Sequence, residues 1–512
     1  MNEHAASTTH ATTSAARVRI ESAGTAALWV AGTAALALPI VLAFFGGGFG
    51  VRRATMALIV VLPILAVCGA LAPRPLVARG WPRLALAGLA AYSAWAAISI
   101  AWARILGDAS EDAYRLALYC AAFLLALIGL RTPALRRHAP HVLLGGILLV
   151  ALYALAGRLL PSIVEQTETT IAGDRLSQPL TYWNAMGLFM AMGTVLGVAT
   201  AGDARLRPLW RGAACAAAIP CFAALYLTFS RASYLALGGA LVFVLVLRPT
   251  RRQLLATALV VAPGLLLLAL MEVLPGVITI DQTDAKRTAQ GAAFGAAMLG
   301  ASAAAGLLLA RLGRGEDRPL PLGRGLRTVA LAAVVPIVLG AGVLVASHGE
   351  SIEDVPTGAG RVTTLDTNRD QLWGVGLEAF AAHPIAGIGT ASFQVEWLRE
   401  RDERNSALDA HSLYVETLAE LGIVGGALLA VFLIAVAAGV ARRAREGPGD
   451  PVVVAAAGLL VAFAVHAGFD WDWEMPTVSL TALVLAAAAL QAPGTDRPEP
   501  LETDRPETRL AA

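Results

Sequence analysis

The sequence predicts an all-α fold, a polytopic membrane helix bundle of about 14 transmembrane helices, with about 12 as the alternative count. The first observation is composition, because 57% of the residues are hydrophobic and 15% are charged, whereas a soluble domain has about 25% charged residues. The second is that apolar stretches of about 17–25 residues recur along the chain, the length that crosses a hydrocarbon core of ~30 Å. Since lipid offers the backbone no hydrogen bonds, each stretch is predicted to be a helix.

The predicted spans divide the chain into five parts. A disordered cytoplasmic tail at 1–24 precedes eleven spans within 25–346, an extracytoplasmic loop at 347–412, three spans within 413–492 and a second disordered cytoplasmic tail at 493–512. The individual spans are predicted at residues 25–45, 54–72, 84–103, 113–130, 141–160, 182–200, 209–228, 232–248, 253–274, 291–310, 327–346, 413–440, 451–468 and 476–492.

The distribution of basic residues predicts the orientation of the bundle. The loops after even-numbered spans hold 20 arginines, whereas the short loops after odd-numbered spans hold nine Lys or Arg residues. Because short cytoplasmic loops carry an excess of Lys and Arg, the even loops and both termini are predicted to be cytoplasmic.

The loop at 347–412 is predicted to contain an interfacial helix. Its length of about 65 residues is unusual, since connections longer than about 12–15 residues are uncommon and often functional. Within it, Leu372, Trp373, Gly376, Leu377 and Phe380 fall on one helical stripe. An apolar stripe of this kind is typical of a helix that lies in the membrane interface.

Composition also argues against two classes of partner. A net charge of +2 creates no basic field for nucleic acid. The four cysteines all fall in apolar runs without CxxC spacing, so neither a disulfide framework nor a zinc site is predicted.

The unusual polar residues all fall on the predicted extracytoplasmic side. The segment 175–184 (RLSQPLTYWN) leads into the sixth span, the turn 228–233 (TFSRAS) joins the seventh and eighth, and 466–476 (HAGFDWDWEMP) joins the last two. The candidate site residues on this side are Arg175, Asn184, Arg231, Arg361, Arg369, His411, His466 and Asp470.

Arginines at a membrane interface predict an anionic ligand with an apolar half. A guanidinium offers a planar fork of donors that suits phosphate, and the membrane has room for a lipid tail. A polyprenyl-diphosphate-linked sugar fits this description. Neutral His411 is suited to accept the proton of an attacking hydroxyl, because imidazole titrates near neutral pH. Diphosphate is a good leaving group, so arginine charge is expected to suffice without a metal.

Simpler interpretations of the same residues stay open. Arg231 is also typical of a snorkelling arginine, and an isolated interfacial histidine such as His411 often caps or anchors a helix. Glu416 and Glu420 share a helical face, where they line a polar crevice or pair with an arginine. A helix places Glu420 about 13 Å along the axis from His411 and on nearly the opposite face, so a structural or substrate-lining role is expected.

The segment 466–476, which joins the last two predicted spans, carries a second pair of residues that can be interpreted in two ways. His466 and Asp470 are four residues apart, a spacing that suits either a hydrogen-bonded pair or part of a metal site. No further ligands accompany them, so no metal is predicted.

The sequence resembles the O-antigen ligase / O-antigen polymerase family of polytopic bacterial glycan transferases. The resemblance spans roughly 170–440. The matching residues are the turn Thr228 to Arg231; Asn368, Arg369, Trp373, the run 383–389 (HPIAGIG) and Phe393; His411, Ser412, Leu413 and Tyr414; Glu420, Leu421, Gly422 and Gly425; and Arg175 with Tyr182, Trp183 and Asn184.

The resemblance implies an enzyme of the bacterial plasma membrane with its active site outside the cytoplasm. Such an enzyme joins an oligosaccharide from an undecaprenyl-diphosphate donor to a hydroxyl of a glycan, lipid or protein acceptor, without metal or other cofactor. Arg231 and Arg369 then bind the diphosphate, with Arg361 as a competing second arginine, and His411 is the general base. The remaining candidates are assigned substrate-lining or structural roles: Arg175, Asn184, Tyr414, Glu416, Glu420, His466 and Asp470.

A flippase or transporter of lipid-linked glycans is the alternative function. A transporter is expected to show internal repeats and polar residues near the membrane midplane. Here the polar residues cluster at one interface and no repeat is evident, which favours chemistry over passage.

Overall fold

A computed structural model describes residues 2–166, 172–313, 317–321, 323, 325, 369–401 and 406–491, with side chains from residue 21 onward. The α-helices of this part of the chain are α1 Asn2–Ala43, α2 Val51–Leu71, α3 Trp81–Ser99, α4 Leu106–Gly129, α5 Pro133–Leu159, α6 Trp183–Ala201, α7 Pro208–Leu227, α8 Arg231–Leu247, α9 Arg251–Glu272, α10 Pro275–Ile278, α11 Asp284–Leu312, α12 Arg369–Ala382, α13 Phe393–Glu400, α14 Leu413–Glu446, α15 Pro451–His466 and α16 Pro476–Leu490.

The predicted all-α polytopic bundle is confirmed. Among the described residues, 10 helices are long and apolar enough to cross a membrane, and α8, α15 and α16 are shorter apolar helices. This part of the chain contains no β-strand, only an isolated bridge between Thr250 and Pro319. The span predicted at 327–346 and the tail predicted at 493–512 lie outside the described residues, whereas every other predicted span overlaps one of these helices.

Two elements differ from the expectation. Helix α1 begins at Asn2, in the stretch predicted to be disordered, and its apolar span is Glu21–Ala43. The described part of the long loop contains two helices, α12 and α13. Leu372 and Gly376 of the predicted stripe are buried, but Leu377 is 50% exposed. Helix α12 therefore packs part of its stripe onto protein.

The core of the bundle is built around two helices that are apolar on every side. Nearly all of α6 and all of α16 are buried, as expected for a helix without a polar face. Small residues let neighbouring helices approach closely. A Cβ on Gly129 would lie 2.0 Å from the backbone nitrogen of Gly32, and one on Gly212 would lie 2.4 Å from the carbonyl of Gly306. Close backbone contact of this kind is a main source of stability between helices in lipid.

Two motifs from the sequence meet at a break in α14. Gly422 has φ 64° and ψ −165°, so the helix is interrupted there. The loop after α12 fills the gap, with backbone hydrogen bonds from Ile423 to Pro384 (2.9 Å), from Ile388 to Ala419 (3.0 Å) and from Gly389 to Glu420 (2.9 Å). A Cβ at Gly422 would lie 2.3 Å from the carbonyl of Ile385, so only glycine fits. The break ties the loop to the beginning of α14.

A buried ion pair lies at the beginning of α15. The Nη2 of Arg136 lies 2.8 Å from Oδ2 of Asp450, and its Nε donates to the carbonyl of Ala488 (3.0 Å). Asp450 also caps α15 by accepting the Val452 amide at 2.9 Å.

Candidate active site

Asp470 is the centre of a polar cluster at the end of the bundle where α6, α8 and α12 begin and α15 ends. Its carboxylate is fully buried. It accepts hydrogen bonds from Arg369 Nη2 (3.0 Å), Asn184 Nδ2 (2.5 Å) and the Tyr182 hydroxyl (2.7 Å). Arg369, the first residue of α12, also donates from Nε to the carbonyl of Phe469 at 2.6 Å. The guanidinium is therefore held by charge-assisted bonds at two points.

The environment of Asp470 keeps this carboxylate ionised. Burial by itself raises its pKa, but the charge of Arg369, together with the charges that His411 and His466 carry when protonated at low pH, outweighs burial and holds the pKa below its usual range. Burial and the Asp470 charge raise the pKa of Tyr182 well above its usual range, so its hydroxyl stays protonated and donates.

His411 lies beside this cluster in a strained conformation. Its φ of 53° is in the left-handed region, which costs a residue other than glycine about 1–3 kcal/mol and is frequent at functional sites. The next residue, Ser412, is the N-cap of α14, and its hydroxyl accepts the Val415 amide at 3.5 Å. The cap fixes the backbone that presents the imidazole.

The hydrogen bond of His411 defines its tautomer. Nδ1 lies 3.1 Å from the carbonyl oxygen of Asp409, and because a carbonyl only accepts, Nδ1 carries the proton. In the neutral ring Nε2 then has the free lone pair. Burial lowers the pKa of His411; Asp470 opposes this shift and Arg369 adds to it. At pH 7 the imidazole is therefore mainly neutral, with Nε2 able to accept a proton.

Three arginines approach one another at this end of the bundle. Arg175 lies over the Trp183 ring, with Cζ 4.4 Å from the ring centroid. Burial lowers the pKa of Arg175; Tyr182 opposes this shift, and the positive charges of Arg231 and Arg369 add to it. Arg231 is the half-buried first residue of α8. The charges of Arg231 and Arg369 thus both act on Arg175.

His466 pairs with a different aspartate from the one expected. The predicted partner was Asp470, but Nδ1 of His466 lies 2.5 Å from Oδ2 of Asp472. Asp470 faces Arg369 because the chain leaves the helix after His466, and helical i,i+4 geometry no longer applies beyond it. The expected pair is therefore wrong.

The second ring nitrogen of His466, Nε2, faces the turn that carries Arg231. Nε2 lies 2.9 Å from the Ser233 hydroxyl and 3.5 Å from the Ser230 hydroxyl. Ser, His and Asp in this order resemble a nucleophilic triad, but Ser233, His466 and Asp472 are all fully buried. We interpret the network as a brace that positions the beginning of α8.

A second polar cluster lies beyond His411. Carboxylate oxygens of Asp409, Glu416 and Glu474 lie within 4.8 Å of one another, and Arg115 Nη2 lies 3.1 Å from Glu474. Burial raises the pKa of Asp409 to about 7 and that of Glu474 well above its usual range. Oxygen ligands of this kind suit a hard divalent cation, so this group could hold a metal ion, whereas His466 and Asp470 belong to no such group among the described residues.

The other candidates make structural contacts. Glu420 accepts the amides of Ala391 (2.8 Å) and Phe393 (2.9 Å) and so braces the loop before α13. The Tyr414 hydroxyl donates to the carbonyl of Ala464 at 2.8 Å, which joins α14 to α15. Arg361 lies outside the described residues.

Sequence reasoning missed the roles of Tyr182, Ser233, Asp409 and Asp472. Tyr182 and Asp472 both fall in segments that the sequence singles out as polar and aromatic, so a weak signal existed for them. Ser233 lies in an ordinary helical turn, and its contact with His466 joins residues 233 positions apart. No local pattern could have predicted that contact.

Comparison with known families matches one part of the chain. The family model described as O-antigen ligase matches residues 291–430, a range that includes Arg369 and His411. No curated protein matches the chain. Residues 291–430 therefore match an O-antigen ligase domain, and the family resemblance predicted from the sequence is confirmed by this match.

Proposed function

We propose that the protein moves an oligosaccharide from undecaprenyl diphosphate to an acceptor hydroxyl at the outer leaflet of the bacterial plasma membrane. The O-antigen ligase domain and the membrane helix bundle support a membrane glycan transferase. The arginine bias of the loops supports an extracytoplasmic site with both termini in the cytoplasm.

The convergence of arginines at this end of the bundle is the observation that carries the proposal. The positive charges of Arg231 and Arg369 both act on Arg175. A diphosphate esterified at both ends carries about two negative charges, one on each phosphate. Guanidinium groups suit such an anion, because their planar donors match phosphate oxygens.

An apolar cavity along the bundle suits part of the prenyl chain of the donor. Its volume is about 640 Å³, and its walls are mainly apolar side chains of α8, α14, α15 and α16, which reach from Phe463 towards Leu247 and Arg445 at the opposite end of the bundle. Trp473 also lines it, next in sequence to the buried Asp472. A charged head site beside an apolar cavity suits a molecule with an anionic head and a prenyl tail.

We assign the activation of the acceptor to His411. Nε2 takes the proton of the acceptor hydroxyl as its oxygen attacks the anomeric carbon of the sugar. The bond between that carbon and the diphosphate oxygen breaks, and undecaprenyl diphosphate leaves with one more negative charge. The arginines stabilise this charge, which supports a reaction without metal. A single displacement inverts the configuration at the anomeric carbon.

The test is transfer by the purified protein in vesicles with a defined undecaprenyl-diphosphate glycan and an acceptor. We expect sugar on the acceptor with the wild-type protein and none with His411→Ala. His138→Ala alters an exposed histidine at the opposite end of the bundle and should leave transfer unchanged. Full turnover by His411→Ala would remove His411 from the mechanism. Movement of labelled donor across the vesicle membrane, without transfer of sugar to the acceptor, would favour the flippase.

A further inference from the structure

Four aromatic rings form a continuous ladder that begins at the arginine group. Tyr182 and Trp471 are stacked, with centroids 4.2 Å apart and an interplanar angle of 30°. Trp183 lies 5.0 Å from Tyr182, and Phe49 lies 5.1 Å from Trp471. Trp183 carries Arg175 on its face, so the ladder contacts one of the arginines assigned to the diphosphate.

The ladder is held in place by the same carboxylate that holds Arg369. Oδ1 of Asp470 accepts the Tyr182 hydroxyl (2.7 Å) and the Trp471 amide (3.0 Å), while Oδ2 binds Arg369 (3.0 Å). Thr181, next to Tyr182, is held at φ 71°, a strained conformation that a residue other than glycine seldom adopts away from functional sites. The rings and the arginine are thus fixed relative to each other.

The ladder has the chemistry of a sugar-binding surface. All four rings are half-buried, so each keeps an accessible part, and the Tyr182 hydroxyl already has its partner. A pyranose presents an apolar C–H face that packs on an aromatic ring, and polar groups at the edge serve its hydroxyls. Asn184 and the exposed Thr181 lie at this edge.

We infer that the ladder Phe49, Trp471, Tyr182 and Trp183 is the subsite that binds the first sugars of the donor glycan. This inference rests on the proposed function, because the first sugar is bonded directly to the diphosphate and must lie next to the arginines. Trp183, in contact with Arg175, receives the first ring, and Tyr182 and Trp471 receive the next. An aromatic belt that anchors the bundle in the membrane interface is the alternative role for such residues.

The test compares two probes on the full-length protein in lipid nanodiscs: undecaprenyl diphosphate alone, and the same lipid carrying one galactose. Galactose suits the test because one of its faces presents only C–H groups. We expect the wild-type protein to bind the glycolipid more tightly than the bare lipid. Trp471→Ala should weaken glycolipid binding about tenfold, the order of one lost aromatic contact, and leave bare-lipid binding unchanged. Trp471→Phe should retain most of the difference.

A matched control separates the ladder from a membrane anchor. Phe45 is a 59% exposed aromatic residue close in sequence to Phe49 but outside the ladder, and Phe45→Ala should change neither affinity. An equal loss for both probes in Trp471→Ala, or no gain from galactose in the wild type, would overturn the inference while leaving the diphosphate site intact. The proposed function would instead be rejected if the protein did not bind the bare lipid, or if it bound that lipid equally well when Arg231 is replaced.

Discussion

Replacement of Asp470 by asparagine tests whether the arginine group acts as a unit. The substitution keeps the shape of the side chain but removes the charge that holds Arg369 (3.0 Å). Breaking a buried ion pair by removing one partner costs about 3–5 kcal/mol. The lower end applies here, because Arg369 is 16% exposed and keeps its bond to the carbonyl of Phe469. That cost falls on stability, whereas the effect on transfer comes from a displaced Arg369, whose charge-assisted contacts with the diphosphate are worth about 1.5–3 kcal/mol. Loss of these contacts lowers kcat/KM roughly 10- to 100-fold.

The chain provides a matched control at the other end of α15. Asp450 forms a buried ion pair with Arg136 (2.8 Å), and Asp450→Asn breaks it while the amide oxygen can still cap the helix. Both variants should lower the melting temperature in lipid by similar amounts. Only Asp470→Asn should lower the rate of sugar transfer, measured with a defined donor and acceptor. Equal transfer rates in the two variants would refute a role for Asp470 beyond stability.

Two further predictions concern the base and the donor. The acid limb of the kcat/KM profile should lie below pH 6.5, since burial lowers the pKa of His411 and only the neutral ring accepts a proton. In Asp470→Asn the limb should move to lower pH, because loss of the negative charge disfavours the imidazolium; movement to higher pH would contradict this. Arg231→Lys should raise the KM for donor on the order of tenfold through loss of the bidentate fork. Arg248→Lys, which alters an arginine just past the other end of α8, should leave the KM for donor unchanged. If Arg231→Lys also left this KM unchanged, Arg231 would only anchor the helix.

Much of the fold could be predicted from local pattern. Apolar stretches long enough to cross a bilayer have one solution in lipid, the helix, because no other backbone conformation satisfies its own hydrogen bonds there. Positions of arginine in short loops likewise predict sidedness without any knowledge of packing. The candidate residues Arg175, Arg231, Arg369 and His411 followed from the same reasoning, since polar side chains at a membrane interface are unusual enough to be noticed one at a time.

Pairing within the site depended on the tertiary structure. His466 and Asp470 have helical spacing, yet the chain leaves the helix between them, and each finds its partner elsewhere: Asp472 for one and Arg369 for the other. Glu416 and Glu420 share a helical face but serve different neighbours, an acidic cluster and the loop before α13. The sequence by itself determined which residues are costly to place in a membrane. Packing of distant turns decided which of them compensate one another, because a buried charge is stabilised by whatever three-dimensional contact lies within hydrogen-bond reach.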